Sequence, residues 1–215
     1  MLNKFRIQVL IVIGLGLLSQ GLWANTSFEF SGIMNEANFL PGIPADAPFT
    51  GSFTYSLSDQ PGFPGASFFP LTSPGDGLVI QVAGMTFIAP PSESLYIALS
   101  DGYSPTQDLF SVIFNCQSSC PSAFGSIGQI DVQFYGNSSL LSSSTTLPDN
   151  IDPNNVTYGS PTTATWVSIS TAGTVFPYDL GDITSLTETP EPESFGLVFA
   201  GLASLALRTW RRRAR

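Results

Sequence analysis

Apolar and hydroxyl side chains alternate most clearly between Phe49 and Ser58. Positions 49, 51, 53, 55 and 57 hold aromatic residues, leucine or glycine, whereas every position between them is Ser or Thr. Successive side chains of a strand point to opposite faces, so this pattern predicts a strand with one buried and one hydroxylated face. Two apolar runs, Leu78 to Val82 and Met85 to Ala89, flank Ala83-Gly84. They predict a hairpin, because glycine supplies the positive φ that a tight turn needs.

Further runs with strand character bring the expected number to about nine. They are Phe28 to Met34, Leu95 to Leu99, Leu109 to Asn115, Gln129 to Tyr135, Ala164 to Ser170 and Gly181 to Leu186. The segments between them are rich in Gly, Pro, Ser and Asn, and none has the amphipathic helical pattern that parallel strands need for their crossovers. Residues 25–187 are therefore predicted to form an all-β domain, an antiparallel two-sheet sandwich.

Charge is distributed very unevenly along the chain. There are 7 Lys and Arg, 16 Asp and Glu, and no His. The cations are confined to Lys4 and Arg6 at one end and to the segment from Arg208 to Arg215 at the other. An anionic body repels phosphates, so nucleic acid is not an expected partner. A body without His, Lys or Arg also lacks the usual nucleophile, Schiff-base and zinc chemistry, so we predict no catalytic residue, no cofactor and no enzyme activity.

The N-terminal segment has the features of a secretory signal peptide. Lys4 and Arg6 precede an apolar run from Val9 to Leu18, and Leu22-Trp23-Ala24 follows. As a helix this run is about 15 Å long, roughly half the hydrocarbon thickness of a bilayer. Residues 1–24 therefore predict a signal helix that is cleaved after Ala24 during export. An uncleaved anchor is the alternative.

Residues 188–215 have three successive parts. Pro190-Glu191-Pro192 is predicted to be extended and exposed, since proline fixes φ and opposes helix. The apolar stretch from Phe195 to Leu207 predicts a short transmembrane helix in the inner membrane, about 20 Å long. The arginines from Arg208 onward would remain on the cytoplasmic side, which leaves the acidic body outside the cytoplasm.

This order of tripeptide, apolar helix and arginine cluster resembles the PEP-CTERM protein-sorting signal of bacteria that make exopolysaccharide. The resemblance covers about residues 189 to 213. It implies that an exosortase, a membrane transpeptidase-like enzyme, recognises Pro190, Glu191 and Pro192. It also implies a membrane-anchored precursor that passes to the cell surface or the biofilm matrix, where exopolysaccharide is a candidate partner. Thr189 stands where the family usually has Val or Ala. The alternative is a plain tail anchor behind a proline-rich linker.

The body also resembles ectodomains that are often found on PEP-CTERM proteins. The segments that carry this resemblance are Gly51-Ser52-Phe53-Thr54-Tyr55, Leu147-Pro148 and Gly181-Asp182-Ile183. It implies an all-β fold and no assigned activity. Taken with the two ends, it predicts an exported, non-enzymatic protein of the cell envelope or extracellular matrix. A carbohydrate- or calcium-binding module is the alternative.

Cys116 and Cys120 are the only cysteines. In an exported chain an even count favours a disulfide, which would close a small loop after a predicted strand. A redox-active pair is the alternative, although no neighbouring cation is available to lower a thiol pKa.

Oxygen ligands and aromatic rings supply the remaining candidate chemistry. The loop from 149 to 155 contains Asp149, Asp152 and Asn154, whose oxygens suit calcium, although their spacing is not that of an EF-hand and turn formation is the alternative. Two facing carboxylates would be needed for a third hypothesis, a glycosidase, and no spacing selects a pair. The available carboxylates in or beside loops are Asp101, Asp108, Asp131, Asp149, Asp152, Asp179 and Asp182.

Phe63, Phe68 and Phe69 are expected to cap the core or, alternatively, to stack on sugar rings.

Overall fold

The computed structural model describes residues 25–36, 42–63, 66–115, 127–158, 166–171 and 178–189. These residues form ten β-strands and a single 3-10 turn at Pro153–Asn155. The strands are β1 (Asn25–Glu36), β2 (Pro48–Ser56), β3 (Phe68–Leu71), β4 (Gly77–Val82), β5 (Met85–Ala89), β6 (Ser92–Ser104), β7 (Gln107–Asn115), β8 (Ile127–Asn137), β9 (Trp166–Thr171) and β10 (Tyr178–Thr189). Within these ranges, no helix has the length and apolar character to cross a bilayer. The predicted helices in residues 1–24 and 195–207 lie outside the described residues.

The ten strands form one antiparallel sheet in the order β3-β6-β7-β8-β9-β10-β1-β2-β4-β5. The prediction of an all-β antiparallel fold is therefore confirmed. The prediction of two separate sheets is wrong, because β9 and β10 continue the hydrogen bonding from β8 to β1. Alternation along a strand indicates which face is buried, but it does not show which strands are hydrogen-bonded neighbours.

The sheet curls until its two halves face each other across one core. The ring of Phe53 on β2 lies 5.7 Å from that of Phe110 on β7 and 5.5 Å from that of Phe134 on β8, measured between centroids. Phe30 on β1 also contacts Phe134, at 6.0 Å. Since β2 is separated from β7 and β8 by several strands in the sheet order, only curling can bring these rings together. The interior thus resembles that of a sandwich although the sheet is continuous.

Glycines in the strands make room for two of the core rings. A Cβ built on Gly51 would stand 2.1 Å from the ring of Phe30, its cross-strand partner. The ring of Phe49 occupies the corresponding space beside Gly32 and Gly181 on two neighbouring strands. Because each ring lies where a side chain would otherwise be, these glycines are part of the packing of the core.

The observed strands differ from the predicted ones in extent and in number: β6 and β10 run several residues beyond the predicted segments at both ends, and β3 is an additional strand. β2 ends at Ser56, and Leu57 is in a turn with its side chain exposed, although the alternation placed it on the buried face. β3 was missed because the sequence around Phe68 is rich in glycine and proline, which favour a loop. The hairpin at Ala83-Gly84 is confirmed: both residues have positive φ, 49° and 78°. These angles are typical of a two-residue turn between twisted strands.

Candidate functional site

Two further predicted features lie outside the described residues. They are the sorting tripeptide Pro190-Glu191-Pro192 and the disulfide between Cys116 and Cys120, and both stay predictions. The strand that leads to the tripeptide is described: β10 continues through Thr189, directly before Pro190. Thr189 pairs with Ser27 of β1. The chain therefore enters β1 and leaves β10 at the same end of the sheet.

The loop predicted as a calcium candidate is held together by turn hydrogen bonds. Oδ1 of Asp152 accepts from the backbone N and from Nδ2 of Asn154, both at 2.9 Å, and Asp152 thereby caps the 3-10 turn. Asp149 contributes instead to the environment of Tyr55: burial, followed by the charges of Glu188 and Asp149, raises the pKa of this tyrosine. The structure brings Asp152 and Asn154 together, whereas Asp149 is exposed and acts on Tyr55 through its charge.

Outward-facing side chains of β10, β1, β2 and β4 line an open groove of about 460 Å³. Five of the ten lining residues carry hydroxyl groups, and the hydroxyls of Ser31 and Ser185 are 2.7 Å apart. Glu29 is the single carboxylate and Gln81 the single amide among the lining residues. Such a surface can hydrogen-bond a polar ligand. A lone carboxylate does not supply the pair that hydrolysis of a glycosidic bond needs.

The aromatic residues predicted near position 65 divide between the core and the surface. Phe69 is buried, Phe68 is half-buried, and Phe63 is 59% exposed. Edge-to-face contacts link Phe63 to Phe68 at 5.3 Å and Phe68 to Tyr96 at 6.1 Å. The expectation that these aromatics cap the core holds for Phe69. Phe63 and Phe68 instead begin an aromatic surface on the outside of the sheet.

A row of polar side chains continues this surface along β8. Asp131 lies between two core residues of its strand, so its side chain points to the outer face. Its Oδ2 accepts from Nε2 of Gln133 at 2.7 Å, and Oε1 of Gln133 accepts from the hydroxyl of Tyr135 at 2.8 Å. The ring of Tyr103, which is 55% exposed, packs edge-on against Tyr135 at 5.5 Å. We call Phe63, Phe68, Tyr96, Asp131, Gln133, Tyr135 and Tyr103 the aromatic face.

Asp131 is one of four buried carboxylates among the described residues, a part of the chain that contains no cationic side chain. It is 7% exposed, and its Oδ1 has no hydrogen-bond partner. Burial raises its pKa to about 6, although the hydrogen bond from Gln133 acts in the opposite direction. Burial, followed by the Asp131 charge, also raises the pKa of Tyr96. The aromatic face thus contains a carboxyl group that takes up a proton at a higher pH than an exposed aspartate does.

Asp108, another carboxylate noted in the sequence, has a structural role. It is fully buried, its Oδ1 accepts from the backbone N of Gly102 at 2.8 Å, and its Oδ2 accepts from the backbone N of Leu141 at 3.0 Å. It thereby ties the last part of β6 to the loop after β8. Both oxygens are used, so this carboxylate is not available to a ligand.

Sequence reasoning missed a pair of buried carboxylates, Asp59 and Asp76. They are 7% and 4% exposed and lie within hydrogen-bonding distance of each other. Burial, followed by the charge of Asp59, raises the pKa of Asp76 far above its usual range. Direct contact and enclosure distinguish this pair from the separated, accessible carboxyls of a glycosidase.

Each member of this pair occupies the same kind of turn. The sequence Ser-x-x-Asp occurs at residues 56–59 and at residues 73–76. In both turns Oδ2 of the aspartate accepts from the backbone N of the serine, at 3.3 Å for Asp59 and 2.7 Å for Asp76. The aspartate N also donates to the serine carbonyl in both, at 3.0 and 3.1 Å. The repeated spacing is a signal that could have identified both turns from the sequence.

Comparison with known proteins gives no relative: no family model, no curated protein and no solved structure matches the chain.

Proposed function

We propose that this chain is an exported, non-enzymatic protein of the cell envelope or extracellular matrix, delivered by an exosortase-type sorting system that recognises Pro190-Glu191-Pro192. The precursor would be anchored in the inner membrane by residues 195–207 before processing. The basic residues are all confined to the two ends of the chain. Arginines beside a membrane segment stay on the cytoplasmic side, so this distribution supports an orientation with the acidic body outside the cytoplasm.

One observation carries the proposal furthest: Ser27 of β1 lies opposite Thr189 of β10 in an antiparallel pair. The two junctions with the predicted membrane segments, after Ala24 and at Pro190, are therefore joined to the same end of the sheet. Both ends of the precursor can engage one membrane while the acidic body stays on one side of it. A body whose first and last strands ended at opposite ends could do this only with long linkers.

The test is a variant of the tripeptide in the native host. Replacing Pro190-Glu191-Pro192 with three alanines should leave an unprocessed precursor in the inner-membrane fraction, whereas the wild-type protein reaches the surface or the matrix. Glu193→Gln is the matched control, because it changes an adjacent acidic residue outside the tripeptide. Equal processing and equal distribution of all three proteins would contradict the proposal.

A second candidate function, binding of polysaccharide, is supported by the aromatic face. Exposed rings at Phe63 and Tyr103 flank the hydrogen-bonding row from Asp131 to Tyr135. An aromatic ring offers a flat apolar surface to a sugar, and polar groups beside it fix the orientation of its hydroxyls. Calorimetry with the host's exopolysaccharide should give saturable heat that Tyr103→Ala reduces. A titration without heat would leave the protein with a purely structural role.

A further inference from the structure

The carboxyl pair Asp59–Asp76 lacks a cation although it is enclosed. Between Arg6 and Arg208 the chain contains no Lys, Arg or His. Two ionised carboxylates in contact repel each other strongly in an interior of low dielectric constant. The site therefore requires a positive charge, and no basic side chain is available to supply it. That charge is either a shared proton or a bound metal ion.

The hydrogen bonds fix three of the four carboxylate oxygens. Ser73 bridges the pair: its backbone N donates to Oδ2 of Asp76 at 2.7 Å, and its Oγ donates to Oδ1 of Asp59 at 2.7 Å. The backbone N of Ser56 donates to Oδ2 of Asp59. Oδ1 of Asp76 has no partner among the described residues, although the side chain is 96% buried, as its 4% exposure shows. A buried acceptor without a donor is costly and indicates an additional ligand.

A second oxygen without a donor comes from β1. Oδ1 of Asn25, the first residue of β1, is also buried and has no hydrogen-bond partner in the described part of the chain. The amide of Asn25 lies against Gly75, since its Nδ2 is 2.8 Å from the position that a Cβ on Gly75 would take. Gly75 has φ +98° and immediately precedes Asp76. Asn25 is also paired across the sheet with Ser56, so it contacts both Ser-x-x-Asp turns.

We propose that Asp59, Asp76 and Asn25 form a calcium site at the end of the sheet where β1 begins. Calcium prefers six to eight oxygen ligands, and carboxylate, amide and water oxygens are its usual ones. Among the described residues no three Asp, Glu, Cys or His side chains are grouped to hold a metal, and this site has two such side chains with an amide as the third ligand. Affinity for calcium falls with the number of charged ligands, so with two carboxylates we expect a Kd of about 0.1–1 mM, the range of extracellular calcium modules.

This site is separate from the loop at Asp149, Asp152 and Asn154 and does not depend on sorting. Calcium would tie the start of β1 to the turns before and after β3, at the end of the sheet where the chain enters β1 and leaves β10. Bound calcium would therefore stabilise this end of the sheet, which is next to the predicted processing junctions.

The test measures calcium binding by the full-length chain in detergent, after treatment with EDTA, at pH 7.5. Calorimetry with calcium chloride should show one saturable site. Calcium at twenty times its half-saturating concentration should raise the thermal midpoint by about 5 °C. Asp59→Asn and Asp76→Asn should abolish both effects. These variants keep the side-chain shape and remove the repulsion within the pair, so both should fold, which far-UV circular dichroism checks.

Two control variants show which residues bind the calcium. Asp101→Asn changes an exposed carboxylate on β6 and should retain the full calcium effect. If Asp152→Asn removes the effect while Asp76→Asn keeps it, calcium binds at the other loop and the proposal is wrong. The proposal is also wrong if wild-type protein gives neither heat nor a shift in midpoint with calcium. A proton would then be the cation that the two carboxyls share.

Discussion

Replacing Asp131 with asparagine should change how the stability of the protein depends on pH. Burial raises the pKa of Asp131 from 3.8 to about 6 in the folded protein. The folded state therefore binds this proton more tightly than the unfolded state does. The resulting stability is fully present below the unfolded pKa of about 4 and is lost as the pH rises through 6.

The size of this effect follows from the pKa difference. At about 1.4 kcal/mol per pKa unit, the rise to about 6 corresponds to about 3 kcal/mol of unfolding free energy. Wild-type protein should lose this amount, relative to Asp131→Asn, between pH 4 and pH 8. An asparagine oxygen can still accept the hydrogen bond from Gln133. Asp76 also has a raised pKa, and its contribution to the pH dependence of the unfolding free energy has the same sign. Because Asp76 is present in both proteins, this contribution cancels in the comparison.

The assay is urea unfolding followed by far-UV circular dichroism at several pH values from 4 to 8. The matched control is Asp108→Asn. Both oxygens of Asp108 accept from backbone N–H groups, so the amide introduces a donor facing a donor and should destabilise the protein by about 2–4 kcal/mol. A difference between wild-type protein and Asp131→Asn that stays constant from pH 4 to pH 8 would refute the reasoning.

Three further substitutions test the packing and the aromatic face. Gly32→Ala should destabilise the fold by about 3 kcal/mol or more, since its Cβ would stand 2.0 Å from the backbone oxygen of Asp182; thermal unfolding measures the loss. Tyr55→Phe should cost about 1–2 kcal/mol, because the carbonyl of Pro148 loses a buried 2.7 Å hydrogen bond; urea unfolding at pH 7 checks this. Phe63→Ala should leave the melting temperature within about 2 °C of wild type, because the ring is 59% exposed, and should weaken polysaccharide binding in calorimetry.

The strands were largely predictable because each has its own local pattern. β2 and the β4–β5 hairpin follow directly from alternation and from Gly84. The order of the strands in the sheet was less predictable, because the continuity of the sheet depends on the pairing of β10 with β1, which are distant in sequence. β3 has only four residues and includes Pro70, so it is too short to show a period.

For the candidate sites too, the features set by neighbouring residues were predictable, and the features set by the fold were not. The turn at Asp152 was correctly foreseen as an alternative, because Asp and Asn beside proline favour turns locally. The pair Asp59–Asp76 was not foreseen, although both Ser-x-x-Asp turns are visible in the sequence. Each turn is ordinary alone, and only the fold places the two carboxyls and Asn25 at one end of the sheet.

The most direct test of the sorting proposal is the intact mass of the wild-type protein recovered from each cell fraction of its native host. The proposal expects a surface or matrix species that begins at Asn25, ends near Pro190-Glu191-Pro192, and lacks the terminal arginines. A single species in the cytoplasm, with residues 1–24 and the arginine cluster both retained, would contradict it.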